Sequence, residues 1–206
     1  MELEWRYLTI GDACSGVILL TDACHKTITL GKDFEVLIEF KRMAPDVSQA
    51  AYIADNATIC GDVTLGKDSS VWFNAVIRAE VAPISVGEMS NIQDHAMLHA
   101  DYDCSICIGN RVSIGHSAII HGATIEDRVI VGMGAIVMNG AVIGEGSIIA
   151  AGALVKEGTV IPPYSLVAGV PGVVKKTLTP GERPQENNDE VYTADAYAYA
   201  QAKIVG

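Results

Sequence analysis

Four of the five histidines in the chain lie in one stretch, Asn91 to Gly122, which reads NIQDHAMLHADYDCSICIGNRVSIGHSAIIHG. Neutral imidazole is the commonest protein ligand for metal ions. Three imidazoles around one ion, with a fourth position open to water, make a catalytic centre rather than a closed structural one. That donor set suits zinc, cobalt and ferrous iron alike. A lone outward histidine is more often a plain surface residue. His99, His116 and His121 stand apart because each keeps a fixed offset from an aliphatic residue: His99 follows Leu98, His121 follows Ile120, and His116 lies two places after Ile114. His25 and His95 keep no such offset, and both read as structural or exposed.

The scaffold that must position these residues is a repeat. From Val47 the aliphatics Ile53, Ile59, Leu65, Val71 and Ile77 follow at steps of six, separated mainly by small or polar residues. A helix repeats at three and four, and a simple strand at two. A clean six is the mark of a β-helix, in which each hexad forms a short strand and a corner, and three hexads close one triangular coil. The repeat resumes as Val86, Ile92, Leu98, then Ile108, Ile114, Ile120, then Ile125 through Val131, Val137, Ile143, Ile149, Val155 and Ile161 to Val167. Its breaks are a step of nine after Ile77, a step of ten after Leu98 and a step of five after Ile120. Insertions at prism corners are expected to become surface loops. With them removed, Arg78, His99 and His121 fall one coil apart on one face, about 4.8 Å per coil. Gln93 occupies the same slot on the neighbouring face. His116 belongs to another face and points away, so it completes the site only if a threefold oligomer brings it to His99 and His121 of an adjacent subunit.

The flanks are less regular. Residues 1–40 carry no hexad; ITL and FEVLIEF around GKD predict a hairpin, an N-terminal β-extension. Residues 41–178 form the β-helix, closed by AGVPGVVKK with Pro171 ending the strand pattern. Residues 179–206 read as a polar linker and a C-terminal helix, with Val191, Tyr192, Ala196, Tyr199 and Lys203 on its apolar face. The net charge of −11 excludes a nucleic-acid partner. No apolar run approaches the roughly 18–20 residues of a membrane span. The five cysteines are irregularly placed, and the first residues lack a secretory pattern, so a cytoplasmic protein is expected. Cys104 and Cys107 form a CxxC without the second pair that a zinc ribbon needs.

The aliphatic-glycine pairs Leu65-Gly66, Ile108-Gly109, Ile114-Gly115, Val131-Gly132 and Ile143-Gly144 resemble the left-handed parallel β-helix of the hexapeptide-repeat superfamily. Within it, RAEVAPISVG, SNIQDHAMLH, IGHSAIIHG and VGMGAIVMNGAVIG resemble the γ-class carbonic anhydrase family over about Lys41 to Leu178. The resemblance implies an all-β homotrimer with zinc, or iron or cobalt in its place, bound at subunit interfaces by His99, His116 and His121. It places the family arginine on Arg78 with its carboxylate partner on Glu80, and the asparagine and glutamine near the metal on Asn91 and Gln93, with Asp94 following. The implied reaction is reversible hydration of carbon dioxide to bicarbonate by a metal-held hydroxide. Gln93 would orient that hydroxide, and Arg78 with Glu80 would tie subunits together. Two features depart from the family. Glu80 stands where an aspartate is usual, and the acidic proton-shuttle loop is missing, since the corresponding loops read ADYDCSIC and VAP. Three rival readings are a hexapeptide acyltransferase with one histidine as base, a metal-dependent thioesterase or other hydrolase, and a non-catalytic trimeric scaffold subunit. Metal content separates the first from the rest.

Overall fold

The computed structural model describes residues 19–21, 27–30, 36–179, 181 and 187–202. His25 and Lys203 lie outside the described residues. The hexads fold into an all-β parallel solenoid whose three faces are ladders of inward aliphatics. On the first face Ile59, Ile77, Leu98, Ile120, Val137 and Val155 pair rung on rung. On the second, Leu65, Val86, Ile108, Ile125, Ile143 and Ile161 do the same. On the third, Ile53, Val71, Ile92, Ile114, Val131, Ile149 and Val167 do so. From Ile59 onward every one of these residues is at most 4% exposed, so the three ladders meet in one dry core. Dispersion among close-packed branched side chains, added to burial of their apolar area, is what holds coil to coil.

The aliphatic-glycine pairs have a steric cause. A Cβ on Gly132 would lie 2.5 Å from the Ala151 nitrogen, and one on Gly144 would lie 2.5 Å from the Pro163 nitrogen. At these corners the next coil passes too close for any side chain.

The breaks in the repeat do not all become loops. The step of nine is absorbed inside one continuous strand, Val76–Val86, which pairs with Thr58–Leu65 across two faces and shifts register between Gly61 and Val63. The expected surface loop is absent because Ile84, paired with Val63, turns inward and is 1% exposed. The step of ten does form a loop, closed by backbone hydrogen bonds between Asp101 and Cys104. The step of five leaves Ile120 inward and Ile119 outward, 0% and 38% exposed. Gly122 then turns the chain with φ +55°.

At the C-terminal end, Pro171 does not end the strand pattern. A further strand, Val173–Thr177, folds back antiparallel on Ser165–Ala168. At the other end, Leu19–Thr21 pairs antiparallel with Thr27–Leu30, which pairs antiparallel with Val36–Ile38. That last strand lies parallel to Thr58–Leu65 and joins the solenoid.

Helix α1, Asn188–Tyr199, covers the third face. Trp72 stands edge-on to Tyr192 and Tyr199, with ring centroids 5.3 and 5.2 Å away. Asp189, Tyr192, Ala196 and Tyr199 form the stripe turned to the solenoid. Val191, expected on that stripe, is 56% exposed because it lies off the three-and-four spacing of those four residues. Asp189 is buried instead, and its Oδ2 accepts from Arg111 Nε at 2.5 Å.

Candidate metal centre

Strand pairing on the first face sets Arg78 beside His99, and His99 beside His121. All three follow the inward aliphatic of their rung, so they project outward together. The imidazole centroids of His99 and His121 are 4.9 Å apart, and His99 Nδ1 faces His121 Nε2 at 2.9 Å. The outer nitrogens are engaged as well. His99 Nε2 lies 3.3 Å from Glu80 Oε1. His121 Nδ1 makes a short hydrogen bond to Asn139 Oδ1. Carboxylate and carbonyl oxygens only accept, so both outer nitrogens carry the hydrogen. The inner nitrogens are then the two that face each other, close enough to share one proton or to be bridged by one metal ion. Two nitrogens on one tetrahedral ion, at bonds of about 2.0–2.1 Å, stand roughly 3.3 Å apart, so an ion would part these two, now at 2.9 Å, by a few tenths of an ångström.

Burial, and then the Arg78 charge, lower the His99 pKa from its ordinary value and favour the neutral ring a metal needs. Arg78 pairs with Glu80 of the same chain. The other Glu80 oxygen, Oε2, is buried and has no hydrogen-bond partner among the described residues.

His116 sits on the far side of a corner. Its Nδ1 lies 2.9 Å from Asp94 Oδ2, and its Nε2 is 3.4 Å from the Tyr192 hydroxyl of α1. Within one chain, no three His, Cys, Asp or Glu side chains among the described residues converge on a point where an ion could bind. Gln93 and Asn91 are buried on the third face. Gln93 Nε2 donates to Asn91 Oδ1 at 2.9 Å, Asn91 Nδ2 donates to Ser113 Oγ at 3.1 Å, and Asn188 of α1 reaches the same hydroxyl at 2.8 Å. His95 is exposed and has positive φ. Cys104 and Cys107 are free thiols.

Two residues that the sequence pattern did not single out belong to this group. Asn139 reaches His121 from the next coil, and Asp101 Oδ2 accepts from Asn139 Nδ2 at 3.0 Å. The Tyr102 backbone N–H, and then the Asn139 amide, hold the Asp101 carboxyl below its usual pKa.

Residues 122–157 match the family model described as bacterial transferase hexapeptide (six repeats). A Methanocaldococcus jannaschii protein named "Probable carbonic anhydrase" is 60% identical over 136 residues, covering 66% of this chain and 86% of its own length. The chain belongs to the γ-class carbonic anhydrase-like family. Another relative of this family, gamma carbonic anhydrase 1, mitochondrial, of Arabidopsis thaliana, is 43% identical over 46% of this chain and 37% of its own length. In the crystal structure of a hexapeptide transferase family protein from Anaplasma phagocytophilum the fold recurs, with TM-score 0.71 and 37% identity. The match covers 82% of this chain and 98% of that one.

Proposed function

We propose that this protein is a carbonic anhydrase of the γ class that hydrates carbon dioxide reversibly to bicarbonate. In this reading it works as a homotrimer with zinc held between subunits by His99 and His121 of one chain and His116 of the next. One observation carries the reading. Each of the three imidazoles has one nitrogen tied to an acceptor side chain, Glu80, Asn139 or Asp94, while the second nitrogens meet only each other, at 2.9 Å, or the Tyr192 hydroxyl, at 3.4 Å, contacts that a metal ion would replace. Metal-binding histidines are held in this way, by an acceptor on the far ring nitrogen.

A metal dication held by His99, His121 and a neighbour's His116 would supply Lewis acidity, enough to ionise water near pH 7. The chain's own residues do the rest. Glu80 and Asn139 fix the rings of His99 and His121, and Asp94 fixes that of His116. Asn91 holds the Gln93 amide in one orientation. Arg78 and Glu80 lie beside His99, on the face that a neighbouring chain would approach.

The outward positions on the histidine face support the trimer. Val76, Met97, Ile119, Ile136 and Leu154 form an apolar ladder along it, a surface suited to a second copy of the same chain. The free thiols Cys104 and Cys107 suit a reducing, cytoplasmic location. No described helix is long and apolar enough to cross a membrane.

The test is metal content per chain in wild type and His116→Ala, beside a stopped-flow carbon dioxide assay. About one metal per chain in the wild type, lost in the variant together with hydration, is the expected result. Wild type that takes up neither zinc nor iron would overturn the reading and favour an acyltransferase, in keeping with the Anaplasma neighbour being described as a hexapeptide transferase family protein. Metal without hydration would point instead to a thioesterase or a scaffold role.

A further inference from the structure

The break of ten after Leu98 is the one insertion that forms a loop, and its first residue, Asp101, turns back toward the histidines. The turn is fixed locally. Asp101 and Cys104 exchange backbone hydrogen bonds of 3.1 and 3.0 Å, and the Tyr102 N–H donates to Asp101 Oδ1 at 2.8 Å. The remaining carboxylate oxygen accepts from Asn139 Nδ2, while Asn139 Oδ1 accepts from His121 Nδ1. His121 thus stands at the end of a side-chain relay drawn from three successive coils.

Gly122 makes the relay sterically allowed. A Cβ there would lie 2.7 Å from Cys104 Cβ and 3.1 Å from Asn139 Oδ1, and its φ of +55° is one that a side chain rarely adopts. Any larger residue would push away both the Asp101 loop and the Asn139 amide.

We propose that Asn139 and Asp101 are positioning residues for His121. Asp101 orients the Asn139 amide, so that its oxygen rather than its nitrogen meets the imidazole. That oxygen holds His121 in the Nδ1–H tautomer and leaves Nε2 bare on the side facing His99. With the amide turned the other way, its Nδ2 would donate to Nδ1 and fix the hydrogen on Nε2; with the amide lost, the hydrogen exchanges between the two ring nitrogens and Nε2 is masked for part of the time. The inference rests on the metal reading given above and adds a specific source of metal affinity two coils away from His99.

The experiment is zinc affinity, by competition with a chromophoric chelator, in wild type, Asn139→Leu, Asn139→Asp and Asp101→Ala. It is paired with histidine 15N spectra of the metal-free proteins. Asn139→Leu is expected to bind zinc about 10- to 100-fold more weakly, the usual loss for an outer partner of a ligand. Asn139→Asp keeps an acceptor and is expected to stay within a few fold of wild type. Asp101→Ala is expected to fall between them, since it frees the amide without removing it. In the spectra, His121 of the wild type carries its hydrogen on Nδ1, and Asn139→Leu shifts that population toward Nε2. Thermal melts of the metal-free forms separate these effects from unfolding, and Asp101→Ala, on the surface loop, serves if Asn139→Leu does not fold. Equal zinc affinity in wild type and Asn139→Leu would overturn the inference alone. A wild type without zinc affinity would remove the metal reading and the inference with it.

Discussion

Glu80 shows how much one side chain carries at this site. It pairs with Arg78, reaches His99 Nε2, and keeps a second oxygen buried without a partner in the single chain. One of its carboxylate oxygens, Oε1, serves both Arg78 and the His99 imidazole. Glu80→Ala is therefore expected to weaken zinc binding by about 10-fold or more, measured by chelator competition. The lowered pKa of His99 has a second consequence. Between the lowered folded value and the ordinary value of about 6.5, the unfolded chain binds more protons than the folded one, so stability falls as pH drops through that window. Urea melts of the metal-free protein are expected to show this loss below about pH 6.5, and His99→Gln is expected to reduce it. His99 and His121 were legible in the sequence because their offset from the aliphatic is periodic. Asp101 was not, since it lies in an insertion with no period to read; Asn139 sits two places after Val137, the offset of His116 after Ile114, but an asparagine in a turn carries no ligand signal of its own.

Among the elements, the hexad made the solenoid readable in advance, because a core of branched aliphatics at every sixth position has no other regular solution. What escaped was whatever the backbone decides for itself. The strand Val76–Val86 absorbs its extra residues through a matching irregularity in Thr58–Leu65, a compensation that only the pairing reveals. The corner glycines lend themselves to a direct test. Gly132→Ala places a methyl 2.5 Å from backbone that cannot move independently, and is expected to cost about 1–3 kcal/mol in urea unfolding. Helix α1 is tied by Arg111, whose Nε meets Asp189 and whose Nη2 meets Glu190 at 2.9 Å. Arg111→Met is expected to loosen the helix by about 1 kcal/mol, discounted because the arginine is part-exposed. Trp72 fluorescence reports the change, since Tyr192 and Tyr199 leave its ring edges.

For the whole molecule, the proposed site is complete only between chains, which makes subunit mixing informative. His116→Ala keeps the His99–His121 pair, and His99→Ala keeps His116. Each variant alone is expected to be empty. Co-refolded in equal amounts, they are expected to recover about a quarter of wild-type zinc by random assembly around a threefold axis; a mixture as empty as its parents would refute the shared site. The strands at the two extremities carry a different consequence. One sheet begins with Leu19–Thr21 and Thr27–Leu30, and the other finishes with Val173–Thr177, all running against the direction of their neighbours. Parallel coils have no intrinsic reason to stop, since each exposes the template for the next. On the third face, Val173–Thr177 occupies the edge of the last parallel strand, Ser165–Ala168, with a strand of opposite sense, so a further parallel coil cannot add there.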